Sequence, residues 1–301
     1  MSKIESKKAP FSTSFLNVLP YLIIPIIMNI FMVVLPTINA VFYSLNNTYN
    51  YKLVFCGFDN FIRMFNDKIV WHSFTNNIII IISTVLFQIG PALVICALMT
   101  TSNLVIMKKY IQSVYFFPSV IAPLVIGCIW KIMYSNQYGL INGFLSAVGL
   151  EAYEKNWLGD PKTALLSIII PLSWQFIGFY LVLLMAGVTS IDKEVLEVAE
   201  IDGATGFKRT VYIILPLLNK TINVCLLLCI SGGIKIFDQI FVMTRGGPGY
   251  ASSVLAQYAY NISFAQNDFG YGSAISILML LLTMLGIMLS RLLIGGKNNA
   301  A

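Results

Sequence analysis

The sequence predicts an all-α fold, a polytopic bundle of six membrane-crossing helices, on three observations. Of 301 residues, 57% are hydrophobic and only 11% charged, outside the usual range of soluble globular chains. The apolar residues gather in blocks long enough to cross a hydrocarbon layer of about 30 Å, which takes about 20 residues of helix. No block alternates in the manner of a strand.

In chain order the blocks cover residues 15–45, 77–101, 110–134, 163–189, 221–244 and 271–294. The first follows Lys3, Lys7 and Lys8 and superficially resembles a signal peptide. It is too long for one and has no small-residue cleavage site, so it is expected to remain as an anchor. Pro20, Pro25 and Pro36 in the first block and Pro91 in the second are expected to bend their helices, which neighbouring groups in a bundle tolerate. With the N-terminus inside, eleven Lys and Arg residues fall in inner segments and six in outer ones, leaving Lys131 and Lys235 within helices. That asymmetry favours a multi-pass cell-membrane protein with both termini cytoplasmic. It also accounts for the net charge of +6 without nucleic acid. The expected organisation is a cytoplasmic tail over 1–14, one six-helix transmembrane domain over 15–294 with a cytoplasmic loop at 190–220, and a cytoplasmic tail over 295–301.

Three outer loops, 46–76, 135–162 and 245–270, carry Trp71, Trp157 and several Tyr and Phe residues. These suit either an interfacial belt or a docking partner. Cys96, Cys128, Cys225 and Cys229 lie in spans and Cys56 in an outer loop, which rules out an extracellular disulfide framework. Cys225 and Cys229 share a helix face, but no third ligand is near and His72 is the sole histidine. Small thiols packing a helix seam are expected, with no metal site. No catalytic residues are assigned, because the spans lack histidine and paired carboxylates. No glycine-rich loop ends in Gly-Lys-Ser or Gly-Lys-Thr, so the chain has no cofactor of its own, and any ATP and Mg must be bound by another subunit. Gly246 to Gly249 is expected to be a turn.

The loop 190–220 holds most of the cytoplasmic acids. Val195, Leu196, Val198, Ala199 and Ile201 follow near-helical spacing, with Glu194, Glu197 and Glu200 on a polar side and Ser190 or Asp192 as the cap. Gly203 permits a sharp turn, and a second amphipathic piece is expected from Phe207 towards Leu215 and Pro216. Helix, turn and helix against the membrane form a shape that fits a cleft in a soluble partner.

Glu197, Val198, Ala199, Glu200, Ile201, Asp202, Gly203 and Ala204, followed by Leu215 and Pro216, resemble the "EAA" loop of permease subunits of ABC importers. Val198 stands where that family usually has alanine. A second stretch narrows the likeness. Phe237, Asp238, Val242, Met243, Thr244, Gly246, Gly247 and Pro248, then Tyr258, Tyr260, Phe264, Tyr271, Gly272 and Ala274, are similar to the carbohydrate-uptake permeases of the maltose and multiple-sugar type. Asn60, Asn76, Asn77, Phe117, Pro118, Trp130, Asn142, Trp157, Asp160 and Trp174 extend the resemblance along nearly the whole chain.

The resemblance implies the type I importer permease architecture and a role as half of a sugar or oligosaccharide translocation path. It implies a second homologous permease, two ATPase subunits and an extracytoplasmic solute-binding protein as partners. The 190–220 loop would then be a coupling loop on the ATPase, with Glu197, Ala199, Asp202, Gly203, Ala204, Leu215 and Pro216 as its coupling residues.

Ionisable groups inside a span are costly and therefore functional candidates. Ser231, Lys235 and Asp238 are expected on one face of the fifth helix, level with Trp174, Gln175, Gly178 and Phe179 of the fourth. Sugar hydroxyls need directional donors and acceptors, and a pyranose face stacks on an aromatic ring. In the maltose permease that the chain resembles, substrate lies between the corresponding helices. Alternatively, Lys235 and Asp238 pair with each other or with the second permease, and Trp174 and Gln175 serve helix packing. Lys131 is expected to snorkel to the interface. The alternative function, an ion-coupled secondary carrier for a small polar solute, would show internal repeats and several mid-membrane acids. This sequence offers Asp238 alone and no repeat.

Overall fold

A computed structural model of the chain describes residues 15–49, 52–101 and 105–295. The expected tails over 1–14 and 295–301, with Lys3, Lys7, Lys8 and Lys297, lie outside the described residues except for Gly295. The fold is all-α, with one small hairpin in which Asn46–Tyr49 pairs antiparallel with Lys52–Phe55.

Among the described residues, five helices are long and apolar enough to cross a membrane, and six if a sharply bent pair counts as one span. The first span joins Phe15–Asn29, Ile30–Val34 and Leu35–Ser44 into one rod. The second is Lys68–Thr101, the fourth Ala164–Thr189, the fifth Asn219–Met243, and the sixth begins at Phe269. The third span is the bent pair, Met107–Val120 and Pro123–Met133, at 90°.

Prolines act here in two ways. Pro20 and Pro25 stay within the helix Phe15–Asn29. Before Pro36, Pro91 and Pro216 the helix instead widens by one residue, so that the amides of Leu35, Gly90 and Leu215 bond to the carbonyls of Ile30, Val85 and Thr210. A proline lacks an amide hydrogen and its ring collides with the carbonyl four residues back, and the wider turn moves that carbonyl aside. At Pro123 the chain breaks outright. Ala122 sits at φ −55°, ψ 134°, as expected of a residue forced from the helical region by the proline after it.

The fifth span was expected to be one continuous helix, and this is corrected. Asn219–Lys235 ends at Ile236 (ψ 130°), Phe237 (φ −143°) is not helical, and a separate turn of helix covers Asp238–Met243. The break would orphan the carbonyls of Gly233 and Ile234. The Asn77 amide donates to both, at 2.7 and 3.3 Å, so the two carbonyls remain satisfied although buried.

The fourth span is the most buried, whereas the first has none of its apolar window buried. Glycine allows the fourth span close contact with the third: a Cβ on Gly178 would collide with the Tyr115 carbonyl. Cys225 and Cys229 sit in a core with Cys96, Tyr180, Leu181 and Leu184. The Cys229 thiol donates to Thr84 Oγ1 at 3.2 Å.

Carboxylate and amide side chains stitch the loops 46–76, 135–162 and 245–270. Asp67 caps Ile69 at 2.8 Å and accepts from the hydroxyls of Tyr258 and Tyr271, each at 2.7 Å. Arg63 pairs with Asp268 at 2.7 Å and lies 3.9 Å over the Tyr271 ring. Asn60 donates to the carbonyls of Ser44 and Asn46, and Asn76 to those of Ala251 and Ser253. The indole of Trp157 donates to Asn142 at 2.7 Å and that of Trp71 to the Phe65 carbonyl at 2.8 Å. Gly246 (φ +85°) and Gly249 (φ +59°) form a turn.

Candidate functional site

The first candidate surface is the loop after the fourth span. The Asp192 carboxylate accepts from the Glu194 amide at 3.2 Å and caps the helix Lys193–Ile201. Its apolar side divides in two. Ala199 is buried and Leu196 packs against the core, while Val198, Val195 and Ile201 point outward, with Ile201 85% exposed. Gly203, at φ +78°, closes the helix, and the Ala204 amide returns to the Ala199 carbonyl at 2.9 Å. An L side chain pays for that backbone conformation and glycine does not.

Beyond the turn, Gly206–Arg209, the widened turn Thr210–Ile214 and Leu215–Leu217 make up the expected second piece and lead at once into Asn219–Lys235. It is anchored by the Thr210 hydroxyl, 3.1 Å from that of Thr100 at the end of the second span. Arg209 reaches Glu200 across the turn at 3.6 Å. Phe207 and Tyr212 are exposed by 73% and 76%. Glu197 and Asp202 are exposed, Leu215 is half-buried and Pro216 exposed. Among the described residues Glu197 takes part in no ion pair. Two limbs joined at Gly203 thus present bare apolar tips beside unpaired acids.

The second candidate is a cavity of about 360 Å³ where both broken spans meet the second and fourth. Its wall includes Gln88, Phe176, Phe179, Gly232, Lys235, Phe237 and Asp238. Of the residues singled out from sequence, Phe179, Lys235 and Asp238 line it. The others do not. Gln175 is fully buried behind the wall, donating to the Ile121 carbonyl at 2.9 Å and accepting from Gln239 at 2.7 Å. Gly178 is the packing glycine against Tyr115. Trp174 turns away and meets Trp130 with centroids 6.1 Å apart. Ser231 lies off the wall although it shares the unbroken helix Asn219–Lys235 with Lys235, and the break at 236–237 takes Asp238 out of the register expected for all three.

Lys235 and Asp238 are both exposed and form no ion pair within 4.0 Å, the pairs among the described residues being Arg63–Asp268 and Arg209–Glu200. Lys235 also borders a second cavity of about 420 Å³, beside Tyr260, Ser263 and Ser276. Phe237, on the first wall, stacks on Phe241 at 5.1 Å, and Tyr260 meets Phe237 at 5.3 Å and Phe264 at 5.0 Å. Aromatic faces therefore run from the first cavity to the second. Lys131, expected to snorkel, instead donates to the Val242 carbonyl at 3.1 Å and ties the two half-helices together. Sequence reasoning missed Phe176 and Phe237 as wall residues. Phe237 stood within a recognised motif, but only the break turns it inward.

Residues 92–296 match the family described as the binding-protein-dependent transport system inner membrane component. A probable ABC transporter permease of Pyrococcus horikoshii is 32% identical over 78% of this chain and 80% of its own length. A trehalose/maltose transport system permease of Thermococcus litoralis is 30% identical over 94% of this chain and 93% of its own. A subunit in the crystal structure of a bacterial alginate ABC transporter, in complex with an alginate pentasaccharide-bound periplasmic protein, matches at a TM-score of 0.79. That match covers 91% of this chain and 92% of the other at 20% identity, and it speaks to the fold.

Proposed function

Because this chain belongs to the inner membrane components of binding-protein-dependent transport systems, we propose that it forms half of the pathway of an ATP-driven importer for a sugar or oligosaccharide. The relatives that share most of its length include permeases for trehalose and maltose, for multiple sugars and for diacetylchitobiose. In this reading residues 15–294 are one permease domain in the cell membrane with both termini cytoplasmic. A second permease, two ATPase subunits that bind ATP and Mg, and an extracytoplasmic binding protein complete the assembly.

The observation that carries this reading is the bare loop within the family-matched stretch. Ile201 and Phe207 are 85% and 73% exposed on either side of Gly203, a large apolar surface with polar neighbours of the kind that marks a protein interface. An ATPase groove would cover those tips, and Glu197 would pair with one of its cations. ATP-driven closure of the motor would then pass through the Gly203 turn into the fourth and fifth spans, which this loop joins directly. Those spans wall the cavity and would open it alternately to the two sides. There the sugar would stack on Phe179 and Phe237, while Lys235 donates to its hydroxyls and Asp238 accepts from them. One ammonium and one carboxylate balance, which favours a neutral substrate.

Affinity purification of the tagged protein from its native membrane is expected to bring an ATPase with it. Ile201→Asp combined with Phe207→Asp should reduce the recovered ATPase at least tenfold while leaving the second permease bound. Recovery of the unchanged protein without any ATPase would overturn the importer reading.

A further inference from the structure

The two broken spans are not independent. The half-helices Pro123–Met133 and Asp238–Met243 pack on one another. A Cβ on Gly127 would lie 3.5 Å from Gln239 Cα, and Lys131 Nζ holds the Val242 carbonyl at 3.1 Å. They form one block, and Pro123, Asp238 and Gln239 of that block line the cavity. Among the described residues, the side-chain hydrogen bonds that join this block and the chain break beside it to the fourth span run through Gln175. That amide donates at 2.9 Å to the Ile121 carbonyl, which the break in the third span leaves without a helical partner, and accepts at 2.7 Å from Gln239. Both glutamines are at most 1% exposed.

We propose that Gln175 is a positioning residue for transport, a pin that holds the block of half-helices against the fourth span and is released when the block moves. Parting a buried amide chain is expensive, because water cannot replace a lost partner, and here Gln239 Oε1 already stands buried without one, so the chain has no spare bond to fall back on. Such a seam has two settings, engaged or parted, with no gradual slide between them. Cavity-wall residues travel with the block, so the pin governs access to the cavity. This role rests on the importer reading and adds to it a latch near the midplane, distant from the motor loop.

The test is the complete complex, with ATPase and binding protein, reconstituted in liposomes. Gln175→Met and Gln239→Met keep side-chain length and remove the amide. Each is expected to raise ATP hydrolysis without binding protein about tenfold and to change the stimulated rate less than twofold. The double variant should go no further than Gln175→Met alone, since that substitution already removes both bonds of the chain. Lys131→Met, which loosens the block internally, should leave the ratio of stimulated to basal hydrolysis unchanged. If Gln175→Met fails to assemble, Gln239→Met carries the test, since it leaves the bond to Ile121 intact. A purely structural role would lower complex yield at an unaltered ratio, and that outcome overturns the pin. Failure of the importer reading is seen separately, as absence of any ATPase on the unchanged protein.

Discussion

Asn60, Asn76, Asn77, Gln88 and Gln175 are each almost fully buried, and each donates to a backbone carbonyl that lies at a loop, a break or a neighbouring span. A primary amide is well suited to this: it is neutral, so it is cheaper to bury than a charge, and it carries two donors and an acceptor. Asp67 plays a comparable part just before the second span. Burial opposes its ionisation, but the hydroxyls of Tyr271 and Tyr258 and the amides of Ile69 and Val70 outweigh it, and the carboxyl titrates below its ordinary value. The Tyr258 phenol is pushed upward by burial and by its bond to Asp67, so it remains a donor at neutral pH. A lowered folded value means that the stabilising contribution is complete above the unfolded value of about 4 and is lost as pH falls through the folded one. The gap in melting temperature between the native protein and Asp67→Asn, measured in detergent, should therefore be widest at pH 7 and narrow steadily below about pH 4. A gap independent of pH would mean that the carboxylate charge contributes nothing.

At the scale of elements, the informative pieces are those that break the helical rule. The Gly203 turn is held by φ +78° with nothing within 4 Å of where a Cβ would stand. A side chain there meets no neighbour, so the penalty is one of backbone conformation, about 1–2 kcal/mol for an ordinary L residue. Gly203→Val should leave the protein in the membrane yet lower sugar uptake at least tenfold per ATP hydrolysed, because the limbs bearing Ile201 and Phe207 no longer meet at the same angle. Gly203→Asn should retain most uptake, since asparagine tolerates the left-handed region. Normal uptake by the valine variant would remove the turn from the coupling route. The breaks in the third and fifth spans follow the same logic in reverse: each departs from the helix, and each is repaired by an amide from another span, Gln175 for one and Asn77 for the other.

At the scale of the whole molecule, the proposed function makes this chain one half of a larger object. The first span leans on the sixth through Leu35–Ser44 and leaves its apolar window uncovered, so lipid or the second permease must cover it. The proposed orientation rests on loop charge and is open to a direct measurement. In a background lacking Cys56, Lys155→Cys should react with a membrane-impermeant maleimide on intact cells, and Lys193→Cys only after permeabilisation. The opposite pattern would invert the proposed topology, and the motor loop would then face away from any ATP.

What the sequence alone determined was what depends on composition and local spacing: membrane residence, the count of spans, the capped helix over 193–201 and its glycine turn. These follow from how many apolar residues stand in a row and from which residues tolerate which backbone angles, and neither requires knowledge of the neighbours. The cavity wall was different. Lys235, Asp238 and Phe179 reached it, but Ser231, Trp174, Gln175 and Gly178 did not. Those four sit in unbroken helix and face other neighbours, whereas Pro123, Phe237 and Asp238 reach the wall at two helix breaks whose freed carbonyls are satisfied by amides from other spans. Pro123 hinted at one break, and nothing local signals the other at Ile236 and Phe237. A buried carbonyl must find a donor somewhere, and which donor reaches it is decided by the packing of the spans.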